Sequence, residues 1–234
     1  MTANMRPAVR ALGICALIGA LTTILNTMAP LFYEAEGFDE AAALIRHPVY
    51  AARQWVLLVH PAFTLLLALG LLLALFGRAP GRAASGFAFA FVEKMTEFVL
   101  GVLILFVVNG VWKEGYLTGD GPAPPAELKA RIETFYDLLG GAYFLLWVMF
   151  VLSTGLFASC LGRSDWLSRI AIASAGATIV LTVMMILGRY AGQSSWTAPF
   201  IAYAYGPFLT LHRAAIGVWL IRESFRTDDD APGS

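Results

Sequence analysis

Glu93, Lys94 and Glu97 stand in the middle of one long apolar stretch, residues 85–112, and His212 with Arg213 stands in another, residues 198–221. Carboxylates, an ammonium, an imidazole and a guanidinium are the side chains that move protons and hold ions or polar ligands. In an aqueous domain such a set is ordinary. Inside a bilayer an ionisable group is costly unless paired or wetted, so each of these residues is a functional-site candidate. Glu93 and Glu97 are four residues apart and share a helix face, with Lys94 about 100° round the helix. Two carboxylates, one ammonium and one guanidinium sum to zero, a balance that a low-dielectric site tolerates.

Three readings follow from that set. Glu93 and Glu97 with Arg213 and Lys94 form an ion-pair clasp between two helices, since membrane helices use polar contacts to associate. Alternatively the cluster lines a wet cavity for an ion, proton, lipid or small polar ligand. A third reading is acid–base chemistry on a lipid-soluble substrate, with Glu93 or Glu97 as base and His212 as partner. Ser153, Thr154 and Thr178 fall at the same depth and can supply hydrogen bonds. Asn26, His60 and Asn109 form a second, outer polar level, with Thr64, Tyr143 and Tyr190 nearby.

The elements that must carry these groups are transmembrane helices. Of the 234 residues 59% are hydrophobic and only 14% are charged, with mean hydropathy +0.71. The apolar residues come in blocks of about 20, the length of a bilayer span. The expected fold is all-α, a polytopic bundle of six spans at about 9–30, 55–76, 85–112, 138–161, 167–190 and 198–221, with a disordered cytoplasmic tail at 226–234. The apolar run after Arg6 and Arg10 is too long for a signal peptide and lacks a small-residue cleavage site, so it reads as an uncleaved first helix. A short interfacial helix, Glu40 to Arg46 and capped by Asp39, is expected outside, ending before His47-Pro48. Short arginine-bearing loops place both termini in the cytoplasm of a bacterial inner membrane.

Depth follows at about 1.5 Å per residue. Glu93, Lys94 and Glu97 lie roughly 12–18 Å above the inner face and His212 and Arg213 about 14–15 Å above it, so the two groups share one level. On the same arithmetic His60 and His212 differ by roughly 14 Å, which excludes them as paired axial ligands of one haem. No cysteine/histidine spacing suggests a metal, so no cofactor or metal is expected. Zero net charge and the absence of a basic stripe argue against nucleic acid. Cys15 and Cys160 fall near the cytoplasmic face, where a structural disulfide is not expected.

Several stretches carry a family likeness: Arg10-Ala11-Leu12-Gly13, the 41–53 stretch, the aromatic and charged core around Glu93, the 162–169 turn with Ser168, and Gly217-Val218-Trp219-Leu220-Ile221. In these the chain resembles a bacterial family of six-helix integral membrane proteins catalogued only as a domain of unknown function. The resemblance implies a fold and no activity. Such proteins tend to show a proline where this chain has Ser168, and the opposite charges at the positions of Glu93 and Arg213. That reversal implies contact between the two. Partners expected are the lipid bilayer and a small ligand, a lipid or another membrane protein. The leading expectation is a non-enzymatic protein that binds or moves a small ligand, ion or lipid between the third and sixth spans. The alternatives are the intramembrane enzyme and an accessory subunit of a membrane complex.

Overall fold

The computed structural model describes residues 5–162, 165–192 and 201–225. The expected start of the sixth span at 198, part of the 162–169 turn and the 226–234 tail lie outside them. The described chain is all-helical. Among the described residues four helical stretches are long and apolar enough to cross a membrane: Arg6–Phe32, Pro48–Leu75, Pro125–Cys160 and Trp166–Tyr190. These mark a membrane protein.

Helix α1 spans Arg6–Met28 and runs into a 3-10 turn, Ala29–Phe32. Helix α2, Phe38–Ala43, begins after Gly37, whose φ of 88° is left-handed and suits a residue without Cβ. Asp39 therefore sits in the first turn of α2 rather than capping it, and accepts a hydrogen bond from the Tyr116 hydroxyl. A 3-10 turn, Leu44–Arg46, completes the stretch. Helix α3 spans Pro48–Leu75. Pro48 forces His47 into extended backbone, with ψ 124°, and then supplies a first-turn residue that needs no N–H partner. The helix thus starts at Pro48 and not at 55, about 10 Å further out at 1.5 Å per residue.

Helix α4, Pro80–Val102, continues through a π-helical stretch, Leu103–Lys113, into α5, Glu114–Thr118, and stops at left-handed Gly119. Helix α6 spans Pro125–Cys160, opening at the proline and running unbroken through Gly140 and Gly141. Helix α7 spans Trp166–Tyr190, and Asp165 caps it by accepting from the Ser168 amide at 2.9 Å. A π-helical stretch, Ile201–Tyr205, leads into α8, Gly206–Glu223. Helices α4 and α8 fall outside the apolar class because of the residues that single them out. Any bilayer-length window of α4 holds Glu93, Lys94 and Glu97, and α8 holds Arg213, Arg222 and Glu223.

Six helices form a closed ring in chain order. Helix α1 packs on α3, α3 on α4, α4 on α6, α6 on α7, α7 on α8, and α8 back on α1. The closing contact is tight: a Cβ on Gly13 would stand 2.9 Å from the Gly217 carbonyl, and one on Gly217 would stand 3.0 Å from that of Gly13. The half of the ring that carries both chain ends is filled by a core that includes Val9, Leu71, Leu75, Phe157, Ile216, Trp219 and Leu220. Ion pairs tie its rim. Arg78 meets Glu223, Arg222 meets Asp165 at 2.7 Å, and the Arg10 guanidinium lies 3.9 Å over the Phe225 ring. Large apolar side chains such as Ile14, Leu21, Val180 and Val183 point outward, as a lipid-facing surface requires.

Candidate functional site

The other half of the ring is not filled. A chamber of about 260 Å³ lies inside it, with walls from α1, α3, α4, α6 and the start of α8. A second chamber of about 50 Å³ lies towards the terminal end. Glu93, Lys94 and Arg213 line both, so the charged residues form the partition between the two. All three are buried, each about 6% exposed.

The partition has two walls of different construction. On α4, the Lys94 ammonium lies 2.6 Å from Glu93 Oε1 and 2.9 Å from Glu97 Oε2. Glu97 lies three residues from Lys94 and four from Glu93, which sets the two carboxylates on one helix face, and the flexible Lys94 side chain swings across from the adjacent position to serve both. On α8, Arg213 Nη1 donates to His60 Nε2 at 2.8 Å and to the Thr23 hydroxyl. A guanidinium only donates, so Nε2 is an acceptor and the proton of this imidazole sits on Nδ1. His60 Nδ1 then donates to Thr22 Oγ1 at 2.6 Å, and that hydroxyl donates to the Gly19 carbonyl at 2.9 Å. Thr23 likewise donates to the Gly19 carbonyl, at 2.7 Å.

Three expectations are corrected by this geometry. First, the Glu93–Arg213 clasp does not form. Helices α4 and α8 are not packed neighbours in the ring; α3 touches both, and the chamber lies between them. Lys94 takes the carboxylates, and Arg213 takes neutral partners. Second, His60 does not belong to a separate outer level, since it is bonded to Arg213 and lines the larger chamber with Glu93, while Asn26, three residues beyond Thr23 on α1, lines the same chamber further out. The error comes from starting the second span at 55: the true start at Pro48 carries His60 deeper into the bundle. Third, the level difference used against a two-histidine haem site narrows to the reach of one arginine side chain, because His60 is bonded to the guanidinium of Arg213, next to His212. The local geometry bears on that question independently, as both ring nitrogens of His60 already have protein partners.

His212 faces away from the larger chamber. Its Nδ1 lies 3.3 Å from the Ala171 carbonyl and 3.5 Å from the Ser174 hydroxyl, on the α7 side. It lines the smaller chamber together with Glu93, Ser153 and Thr154. Thr178 donates to the Ser174 carbonyl within α7 and reaches neither chamber. Asn109 is the true outer residue: Tyr50 Oη approaches its Oδ1 at 3.5 Å, and Lys113, bonded to the Ala41 carbonyl at 3.2 Å, lies beside that tyrosine.

Four residues at the chamber went unnoticed in the sequence. Thr22 and Thr23 form the hydroxyl support of His60 and Arg213. Their signal was a polar pair within an apolar span. Gln54, buried at 6% exposure, lay just before the expected second span. Tyr205 lies in the π-helical stretch before α8, and nothing in its sequence neighbourhood marks it.

Compared with protein-family models, with curated proteins and with solved structures, the chain matches none of them.

Proposed function

We propose that the chain is a six-span protein of a bacterial inner membrane that binds a small polar ligand in the larger chamber and passes it across the charged partition. The spans are α1, α3, α4, α6, α7 and α8. Both termini lie in the cytoplasm, because Arg10, Arg78, Arg82 and Arg222 gather at the terminal end. The likeness to a six-helix membrane family belongs to the same proposal.

The observation that carries the reading is the pair of chambers with Glu93, Lys94 and Arg213 as their common wall. A clasp that only joins helices has no need of unfilled space on both sides. A partition whose charges are held by small local bonds can rearrange without dismantling the packed half of the ring. Two π-helical stretches, Leu103–Lys113 and Ile201–Tyr205, adjoin the larger chamber, and π-helical turns are frequent at functional sites.

Native mass spectrometry of the protein released from nanodiscs tests this. A small-molecule adduct is expected on the wild type and is expected to be lost in Glu97→Gln, with helical content unchanged. In a variant without Cys15 and Cys160, a cysteine at Leu100 should react with a membrane-impermeant maleimide. A wild type without adduct, together with an unreactive Leu100→Cys, overturns the proposal.

A further inference from the structure

We infer that the larger chamber is a site for a small zwitterion, its anionic end on Arg213 and its cationic end on Glu97. This rests on the ligand-binding reading above and names the class of ligand.

The argument begins with how charge is distributed around the cavity. On the α4 wall one ammonium serves two carboxylates, which leaves a net charge of minus one. On the α8 wall the guanidinium is bonded to a hydroxyl and a neutral imidazole, which leaves plus one. Among the described residues no carboxylate comes within ion-pair distance of Arg213. The two walls thus face each other across about 260 Å³ with opposite, unmatched charge. Buried charges are stabilised by pairing and hydrogen bonding, so two facing walls of opposite charge favour a ligand that carries both signs.

The free hydrogen-bonding capacity agrees. Among the described residues only Nη1 of Arg213 is bonded to protein, so Nε and Nη2 retain donors, an edge that matches a carboxylate in two-point contact. Glu97 gives Oε2 to Lys94 and keeps Oε1, and its side chain is 26% exposed, the most open of the three charged groups on α4. Gln54 supplies an independent sign. Its side chain is 94% buried at the chamber wall, and neither its amide oxygen nor its nitrogen has a protein hydrogen-bond partner among the described residues. At the same chamber Asn26 Oδ1 is fully buried with no hydrogen-bond partner among the described residues, and a buried acceptor left unpaired is costly, so both amides are poised for a ligand. Trp147 and Tyr143, stacked on each other with centroids 6.0 Å apart, line the same space, and aromatic rings are favourable neighbours of a cationic group.

A ligand of single charge would satisfy one wall and leave the other bare, with a net charge added to a low-dielectric site. A zwitterion satisfies both and keeps the sum at zero. The volume lies just below the roughly 300–1,000 Å³ of drug-sized sites, so the ligand is small.

The test uses the full chain in nanodiscs and three ω-amino acids of increasing length: glycine, γ-aminobutyrate and ε-aminocaproate. Butyrate and butylamine are the single-charge controls. At least one ω-amino acid should raise the unfolding midpoint by several degrees at saturation, and neither control should do so at the same concentration. Arg213→Lys keeps the charge and loses the fork, and should weaken binding by about tenfold. Gln54→Leu, which leaves both charged walls intact, should also weaken it and covers the case in which Arg213→Lys fails to fold. Butyrate binding as tightly as the ω-amino acids would make this an anion site and overturn the zwitterion, leaving ligand binding in place. No response to any ω-amino acid also overturns the inference; the native adduct then decides separately whether the chamber binds anything.

Discussion

The charged residues at the terminal end of the ring and those at its middle are of the same kinds, yet they are paired in opposite ways. At the end the pairs cross between helices: Arg78 of the turn after α3 with Glu223 of α8, and Arg222 of α8 with Asp165 at the head of α7. At the middle the ion pairs stay within α4, and Arg213 reaches across to α3 and α1 only through neutral groups. The first arrangement draws helices together around a packed core. The second leaves α4 and α8 apart, with a chamber between them. Charge in this molecule therefore closes one end and holds the other open.

That contrast can be broken most severely at Lys94. Lys94→Met leaves the buried Glu93 and the half-buried Glu97 side by side without a cation. A loss of about 3–5 kcal/mol is expected, and the unfolding midpoint in detergent should fall accordingly. Adding Glu93→Gln should recover part of that loss, because one of the two stranded charges is removed. A midpoint unchanged in the single variant would mean that the α4 wall is wet enough to need no counter-ion.

His60→Leu has an intermediate expected effect. It takes the acceptor from Arg213 and the donor from Thr22 while leaving every ion pair at the terminal end in place. Unsatisfied buried partners cost about 1–3 kcal/mol. The loss should be smaller than for Lys94→Met, and full stability in the variant would show that Thr23 alone suffices for the guanidinium.

The smallest effect belongs to the terminal end. Burial pushes the Asp165 carboxyl up, but the Ser168 amide, the Arg222 guanidinium and the Ser168 hydroxyl outweigh it and hold the pKa down at about 2. A carboxyl whose folded pKa lies below its unfolded value of about 3.9 contributes fully above that pH. The contribution then fades as pH falls towards about 2. Asp165→Ala should cost about 1 kcal/mol at neutral pH, chiefly the lost helix cap. The midpoints of wild type and variant should converge as the solution is acidified through that window. A gap that persists at the acid end would assign the loss to packing instead.

Much of the layout was legible because helix length and apolar run length are local properties. The stretches containing Arg6–Phe32, Pro125–Cys160 and Trp166–Tyr190 could be read from hydropathy, and the proline at 125 announced the start of α6. The three charges of α4 and the His212-Arg213 pair stood out for the same reason. The start of α3 was misplaced because residues 48–54 contain Arg53 and Gln54 and look like loop. The proline at 48 was the better guide, since it restricts the backbone directly while hydropathy is only an average. One displaced boundary then moved His60 to the wrong level.

The sequence by itself determined that this is an all-helical membrane protein with buried charges on two of its helices, because cost in a bilayer is set residue by residue. Only the tertiary structure decided which charge meets which. Helices that carry balancing charges at equal depth can pack together or face each other across a gap, and depth is the same in both cases. Here the order of helices round the ring sets α4 and α8 across the chamber. Lys94 is then left to its own helix and Arg213 to His60 and Thr23, with the chamber between them.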